Sequence, residues 1–92
     1  MIRSFANKAT EQLSQRKRVK SIDPRIERVA LRKLRQLNAA VALEDLRVPP
    51  GNRLERLQGD RFGQHSIRIN DQWRVCFRWT DLGPEEVEIV DY

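Results

Sequence analysis

The stretch Ser66 to Trp79, SIRINDQWRVCFRW, constrains the fold of this chain more than any other. Ile67, Ile69, Trp73, Val75, Phe77 and Trp79 interleave with Arg68, Arg74 and Arg78. Such period-two alternation marks two half-buried strands joined by a short turn. The pattern also selects a register. A two-residue Asn70–Asp71 turn would set Ile67 against Arg74 and Arg68 against Trp73, mixing apolar and charged groups on both faces. A three-residue turn, Asn70 to Gln72, sets Ile69 opposite Trp73, Ile67 opposite Val75 and Ser66 opposite Cys76. A slip of one residue moves every side chain to the other face, so burial selects the second arrangement. His65 then falls beside Phe77 on the apolar side, or just outside the strand.

This register makes Arg68 and Arg74 direct cross-strand neighbours, which is destabilising for like charges. It therefore calls for an anion nearby. A carboxylate of the chain would serve, with Asp91 or Glu88 on a neighbouring strand, and so would the phosphate of a partner held between two guanidiniums.

The remaining segments place helices before strands. Met1 to Phe5 reads as a short first strand. Asn7 to about Gln15 suits a helix capped by Asn7. The tract QRKRVK, Gln15 to Lys20, is a basic linker or a fraying helix end. Asp23 and Pro24 form a helix-start signal, because proline lacks the N–H that would go unpaired there. Ile26, Val29, Ala30, Leu34 and Leu37 then make one apolar stripe and Arg25, Arg28, Arg32 and Arg35 a second, basic one. The helix is expected to end at Asn38. The run AAVALEDLRV adds a short helical turn before PPGN breaks the chain. RLERL reads as an irregular strand, QGDRFGQ as a loop and EEVEIVDY as a last strand. Ninety-two residues suit one domain, 1–92. The class is α+β, with N-terminal helices packed on a small, mainly antiparallel sheet.

Charge narrows the partners. The net charge is +5, yet the last 14 residues hold five acids and no base. A basic body favours a polyanion such as nucleic acid or the ribosome. One cysteine, Cys76, excludes an internal disulfide framework. No apolar run is long enough to span a bilayer, and the N-terminus lacks a secretory signal. The expected address is cytoplasmic, with neither metal nor cofactor.

The order of elements, with MIRSF at the start, the run Leu57 to Arg74 (LQGDRFGQHSIRINDQWR) in the middle and GPEEVEIVDY at the end, resembles the HigB branch of the RelE/ParE toxins. The resemblance covers nearly the whole length. It implies a toxin of a type II toxin–antitoxin system, acting as a ribosome-dependent, metal-independent mRNA endonuclease that inhibits translation. It also implies a HigA-type helix-turn-helix antitoxin, with operator DNA bound only through the antitoxin complex. The Arg25–Arg35 stripe and the QRKRVK tract are both candidates for the antitoxin's docking face. Arg74 matches the arginine that faces the active surface in this branch, and Asp91 and Tyr92 match its acidic and aromatic pair. Where some relatives carry a histidine and a lysine, this chain has Glu55 and Gln58. Two other functions stay open: a gyrase inhibitor of the ParE kind, and a nucleic-acid- or ribosome-binding module with no enzymatic activity.

RNA cleavage without metal needs a base for the 2′-hydroxyl, cations for the phosphorane and an acid for the leaving oxygen. Arg74 is the candidate cation, supported by Arg68. Asp91, Tyr92 and His65 are the candidate acid–base groups. His65 is the lone histidine, and its strand position points it to the apolar side. Arg53, Arg56 and Arg61 are candidate grips for RNA phosphates. Trp73 and Trp79 are read as core, and Cys76 as a small filler.

Overall fold

The computed structural model describes residues 1–91. Helices α1 (Lys8–Ser14) and α2 (Glu27–Ala39) precede four strands: β1 (Glu55–Arg56), β2 (His65–Arg68), β3 (Trp73–Thr80) and β4 (Gly83–Asp91). Short 3₁₀ turns occupy Leu43–Arg47, Pro50–Asn52 and Gly59–Arg61. The strands form one antiparallel sheet in the order β1-β2-β3-β4.

The central hairpin has the register that its alternation selects. His65 pairs with Phe77, Ser66 with Cys76, Ile67 with Val75 and Arg68 with Arg74. The turn is closed by the Ile69 N–H donating to the Trp73 carbonyl at 2.9 Å. Asn70 stabilises it, its Oδ1 accepting from the backbone N–H groups of Gln72 and Trp73, both at 2.8 Å. Ile67, Val75 and Phe77 are wholly buried beneath the helices together with Val87. From α2 and its N-cap residue they meet Ile26, Ala30, Leu34 and Leu37.

Several local expectations are refined. Met1 to Phe5 is not a regular strand. It makes one parallel bridge, Phe5 to Val87, with Arg3 N–H donating to the Pro84 carbonyl at 2.7 Å and Ala6 N–H to the Val87 carbonyl at 2.9 Å. The reason lies in β4, whose pairing with β3 shifts between Cys76 and Arg78. Glu86 takes a φ of 54° at that bulge, and the bulged backbone turns its polar groups toward Ser4, whose hydroxyl accepts from Glu86 N–H at 2.9 Å.

Helix α2 starts at Glu27 rather than Pro24 and ends at Ala39, one residue beyond Asn38. Asp23 instead caps a preceding turn, its carboxylate accepting from Arg25 N–H at 2.9 Å and its carbonyl from Ile26 N–H at 3.0 Å. The Arg25 side chain bonded to it holds the Asp23 carboxyl below its ordinary range. Arg25, Arg28, Arg32 and Arg35 are exposed as a basic stripe should be. RLERL supplies only a two-residue strand, since Leu57 turns inward and is buried. The linker valine, Val19, is also buried.

Helix α1 is tied to the far end of the chain by two side chains, Asn7, which donates to Glu88 at 3.3 Å, and Thr10. Asn7 caps it, accepting from Thr10 N–H at 2.9 Å. The buried Thr10 hydroxyl in turn accepts from the Ile89 N–H at 3.0 Å. Thr10→Val keeps the shape but strands that N–H, so it should lower stability by about 1–3 kcal/mol, measurable as a reduced urea midpoint with unchanged slope.

Candidate active site

Arg74 stands at the centre of the sheet face opposite the helices, and it is not an open platform. Only 10% of its side chain is exposed. Its Nε donates to the Ser66 hydroxyl at 2.7 Å, and its Nη2 donates to the Arg53 carbonyl at 2.9 Å. The Glu55 carboxylate lies 3.6 Å from the same Nη2. Each partner follows from the fold. Ser66 and Arg74 lie on one side of the β2–β3 pleat, in alternate pairs of the ladder. Glu55 pairs with Ser66 across β1 and β2, which sets it on the same face. Arg53 adopts φ 46° and ψ 56°, a left-handed conformation that is costly for a side chain other than glycine. That conformation turns its carbonyl toward the guanidinium.

Among the described residues, the anions beside the arginine pair differ from those expected. Arg68 is paired with Asp71 in its own turn, and Glu55 faces Arg74. Glu88 instead accepts from Arg61 at 2.8 Å, while Arg61 also donates to Gln64 Oε1 at 3.0 Å. Asp91 accepts from Gln72 Nε2 at 3.1 Å. The distant β4 acids are taken by closer partners, so the turn and the β1 edge supply the compensation. Arg78 is held by Glu86, its Nε donating at 2.6 Å.

The candidate residues separate by face. Arg74 and Arg68 share the face opposite the helices, joined there by Glu55 and Ser66. Cys76 lies on the same side, wholly buried, and burial pushes its thiol above the ordinary range, Glu88 adding to the effect and the arginines opposing it. His65 stacks on Phe77 with ring centroids 6.2 Å apart, on the apolar side. Arg56 pairs with His65 and shares its side of the pleat. Asp91 is opposite Trp73 at the end of β4, one position from Val90, which faces Arg74. Arg53 brings its carbonyl to the site while its side chain is exposed. Tyr92 lies outside the described residues. Among the described residues no three His, Cys, Asp or Glu side chains gather as a metal site would require.

Comparison with known proteins decides the family. The family model described as the RelE-like toxin HigB of type II toxin–antitoxin systems matches residues 3–92. The chain belongs to the HigB-like toxins. It is 46% identical over 82 residues to Toxin HigB-1 of Vibrio cholerae serotype O1, covering 88% of this chain and 86% of that one. It is also similar to an uncharacterized protein of Haemophilus influenzae, with 38% identity over 52 residues, 56% of this chain and 52% of that one. The fold is the α+β arrangement expected of a RelE-like toxin. As the toxin of a type II system, the protein has an antitoxin for a partner.

In this HigB-like toxin the residues that shape the site include several that pattern reading passes over. Ser66 was visible only as the partner of Cys76, and Glu55 only as a departure from the histidine of some relatives. Lys33, inside the apolar stripe of α2, is 5% exposed. Its Nζ donates to Asn52 Oδ1 at 2.5 Å. Burial lowers the Lys33 pKa, and the charges of Arg32 and Arg68 lower it further.

His65 gives the site a measurable pH signature. Its buried Nδ1 has no hydrogen-bond partner among the described residues. Burial lowers its pKa from the ordinary 6.5, and the Arg56 charge adds to the shift. The unfolded chain therefore binds the proton more readily than the native state. Stability should fall as pH drops from 6.5 to the lower native pKa, and level off below it. His65→Phe should abolish this acid limb and leave neutral-pH stability unchanged or higher, as followed by urea midpoints against pH. An acid limb of undiminished size in the variant would contradict the assignment.

Proposed function

We propose that this toxin is an endoribonuclease that cuts mRNA on the ribosome without a metal ion, and so halts translation in the cytoplasm. The observation that carries the reading is the fixed orientation of Arg74. A guanidinium gripped by Ser66 and the Arg53 carbonyl loses little further freedom when it meets a phosphate. Charge stabilisation by a preorganised group is strongest in such a site, where little reorganisation is needed at the moment of reaction. Membership of the HigB-like family, and likeness to a protein named Toxin HigB-1, support the same conclusion.

In the proposed reaction the 2′-oxygen bonds to the adjacent phosphorus and loses its proton to a base. The phosphorus–O5′ bond then breaks, and an acid protonates the departing 5′-oxygen. Arg74 stabilises the charge gathering on the phosphoryl oxygens. Glu55 is the carboxylate placed beside it, half exposed on the same face, and so is one candidate base. Asp91 and Tyr92 are the candidates by family resemblance, and His65 takes part less readily from the apolar side. Arg53, Arg56, Arg61 and Arg68 are proposed RNA contacts, with Arg68 the one nearest in register to Arg74. Limited acid–base equipment assigns much of the rate to positioning of the message by the ribosome. A HigA-type antitoxin is the proposed neutralising partner, and operator DNA would be met through that complex alone.

Primer extension on translated mRNA tests this directly. The wild-type protein should give cleavage in the ribosomal A site and little cutting of free RNA. Arg74→Ala should reduce the rate by about 10²–10³-fold. Arg74→Lys should also lose most activity, since an ammonium cannot satisfy Ser66 and Arg53 while presenting a planar fork. Glu55→Gln and Asp91→Asn compared side by side rank the two carboxylates as base. Intact messages together with inhibited DNA supercoiling would overturn the reading in favour of a gyrase inhibitor.

A further inference from the structure

Asn52 is a polar side chain sealed in the interior, 0% exposed. A buried amide is stable only when its donors and acceptor are met, and here they are met by groups from two separate parts of the chain. Its Nδ2 donates to Gln36 Oε1 and to the Leu46 carbonyl, both at 3.1 Å. Its Oδ1 accepts from Lys33 Nζ at 2.5 Å. Lys33 and Gln36 both belong to α2, one turn apart on its surface. Asn52 therefore pins the Pro50–Asn52 turn to α2 through both ends of its amide.

The next residue along is Arg53. Its backbone is left-handed, and its carbonyl is the acceptor for Arg74 Nη2. The side chain of one residue thus sets the direction of the peptide oxygen that follows it. A left-handed arginine relaxes unless its neighbours hold it, and the anchored Asn52 is the neighbour that does so.

We propose that Lys33 and Asn52 are positioning residues for Arg74: through their buried hydrogen bond they hold the Arg53 carbonyl against the guanidinium. Both side chains are buried and so act on RNA only through Arg74. The effect on turnover rests on the nuclease reading. The effect on Arg74 itself does not.

The test uses the full-length toxin with Lys33→Met, which keeps most of the aliphatic stem and removes the ammonium, and Lys33→Gln, which retains an N–H donor for Asn52. Two readouts are taken below the melting temperature of each variant: the ¹⁵N signals of the Arg74 guanidinium and the kinetics of A-site cleavage. In the wild-type protein the two Nη groups should give separate signals, because the clamp slows rotation. Lys33→Met should merge them and lower kcat about tenfold with KM for ribosomes unchanged, and Lys33→Gln should restore much of both. Removing a buried charge can also leave stability intact, so a melting temperature near wild type accompanied by these losses supports positioning over mere structure. A lowered melting temperature with unaltered Arg74 signals would overturn the inference. So would failure of both variants to fold, which would make Lys33 a purely structural residue. If the wild-type toxin does not cut mRNA, the nuclease reading fails while the Arg74 signals still decide the positioning role.

Discussion

The β2–β3 register is the constraint on which the rest of this structure depends. Burying Ile67 against Val75, and His65 beside Phe77, forces Arg68 opposite Arg74 on the other face. Hydrophobic burial of two or three such side chains contributes several kcal/mol, about 1.5–3 for each, whereas a like-charge cross-strand pair costs a fraction of that. Burial wins, and the chain must then accommodate two guanidiniums side by side. It does so locally, with Asp71 in the turn and Glu55 on the adjoining edge strand. The catalytic reading of Arg74 begins with this imbalance of magnitudes.

Much of this was legible in the sequence because alternation is a local code. The hairpin register, the Asn7 cap and the side taken by His65 all follow from residues near one another in the chain. The clamp around Arg74 was not legible. Its acceptors are a serine that looked like an ordinary strand residue and a main-chain carbonyl that carries no sequence signal at all. Glu55 and Glu88 illustrate the same limit. Both are acids on strands near arginines, and only the three-dimensional path of the loop through Arg61 shows that Glu88 is already engaged there. Lys33 escaped notice for a different reason. Helical spacing identifies which positions face inward, but an ammonium among them is explained only by the amide of Asn52, 19 residues further on.

The site also shows how a basic protein can present a specific cation rather than a general positive field. Eighteen lysines and arginines give a broad positive field that attracts polyanions in general, and the exposed stripe Arg25 to Arg35 belongs to that class. Arg74 differs in being buried and directionally bonded. Exposed cations gather a polyanion, while a fixed one can discriminate between the geometry of a phosphodiester and that of its transition state. On the proposed nuclease reading the two populations of arginine would have separate tasks.

The attachment of the N-terminus to β4 bears on when the toxin becomes native. Ser4 meets Glu86 and Thr10 meets Ile89, contacts that close loops of 82 and 79 residues. Such pairings form late, because the entropy of closing a long loop must be overcome before the contact contributes. During synthesis the first helix can form early, yet its hydroxyl has no backbone N–H to accept from until residue 89 has been made. The N-terminal tenth of the chain thus waits for the C-terminal tenth, and the core under the sheet cannot close while the ribosome making it is still translating its middle.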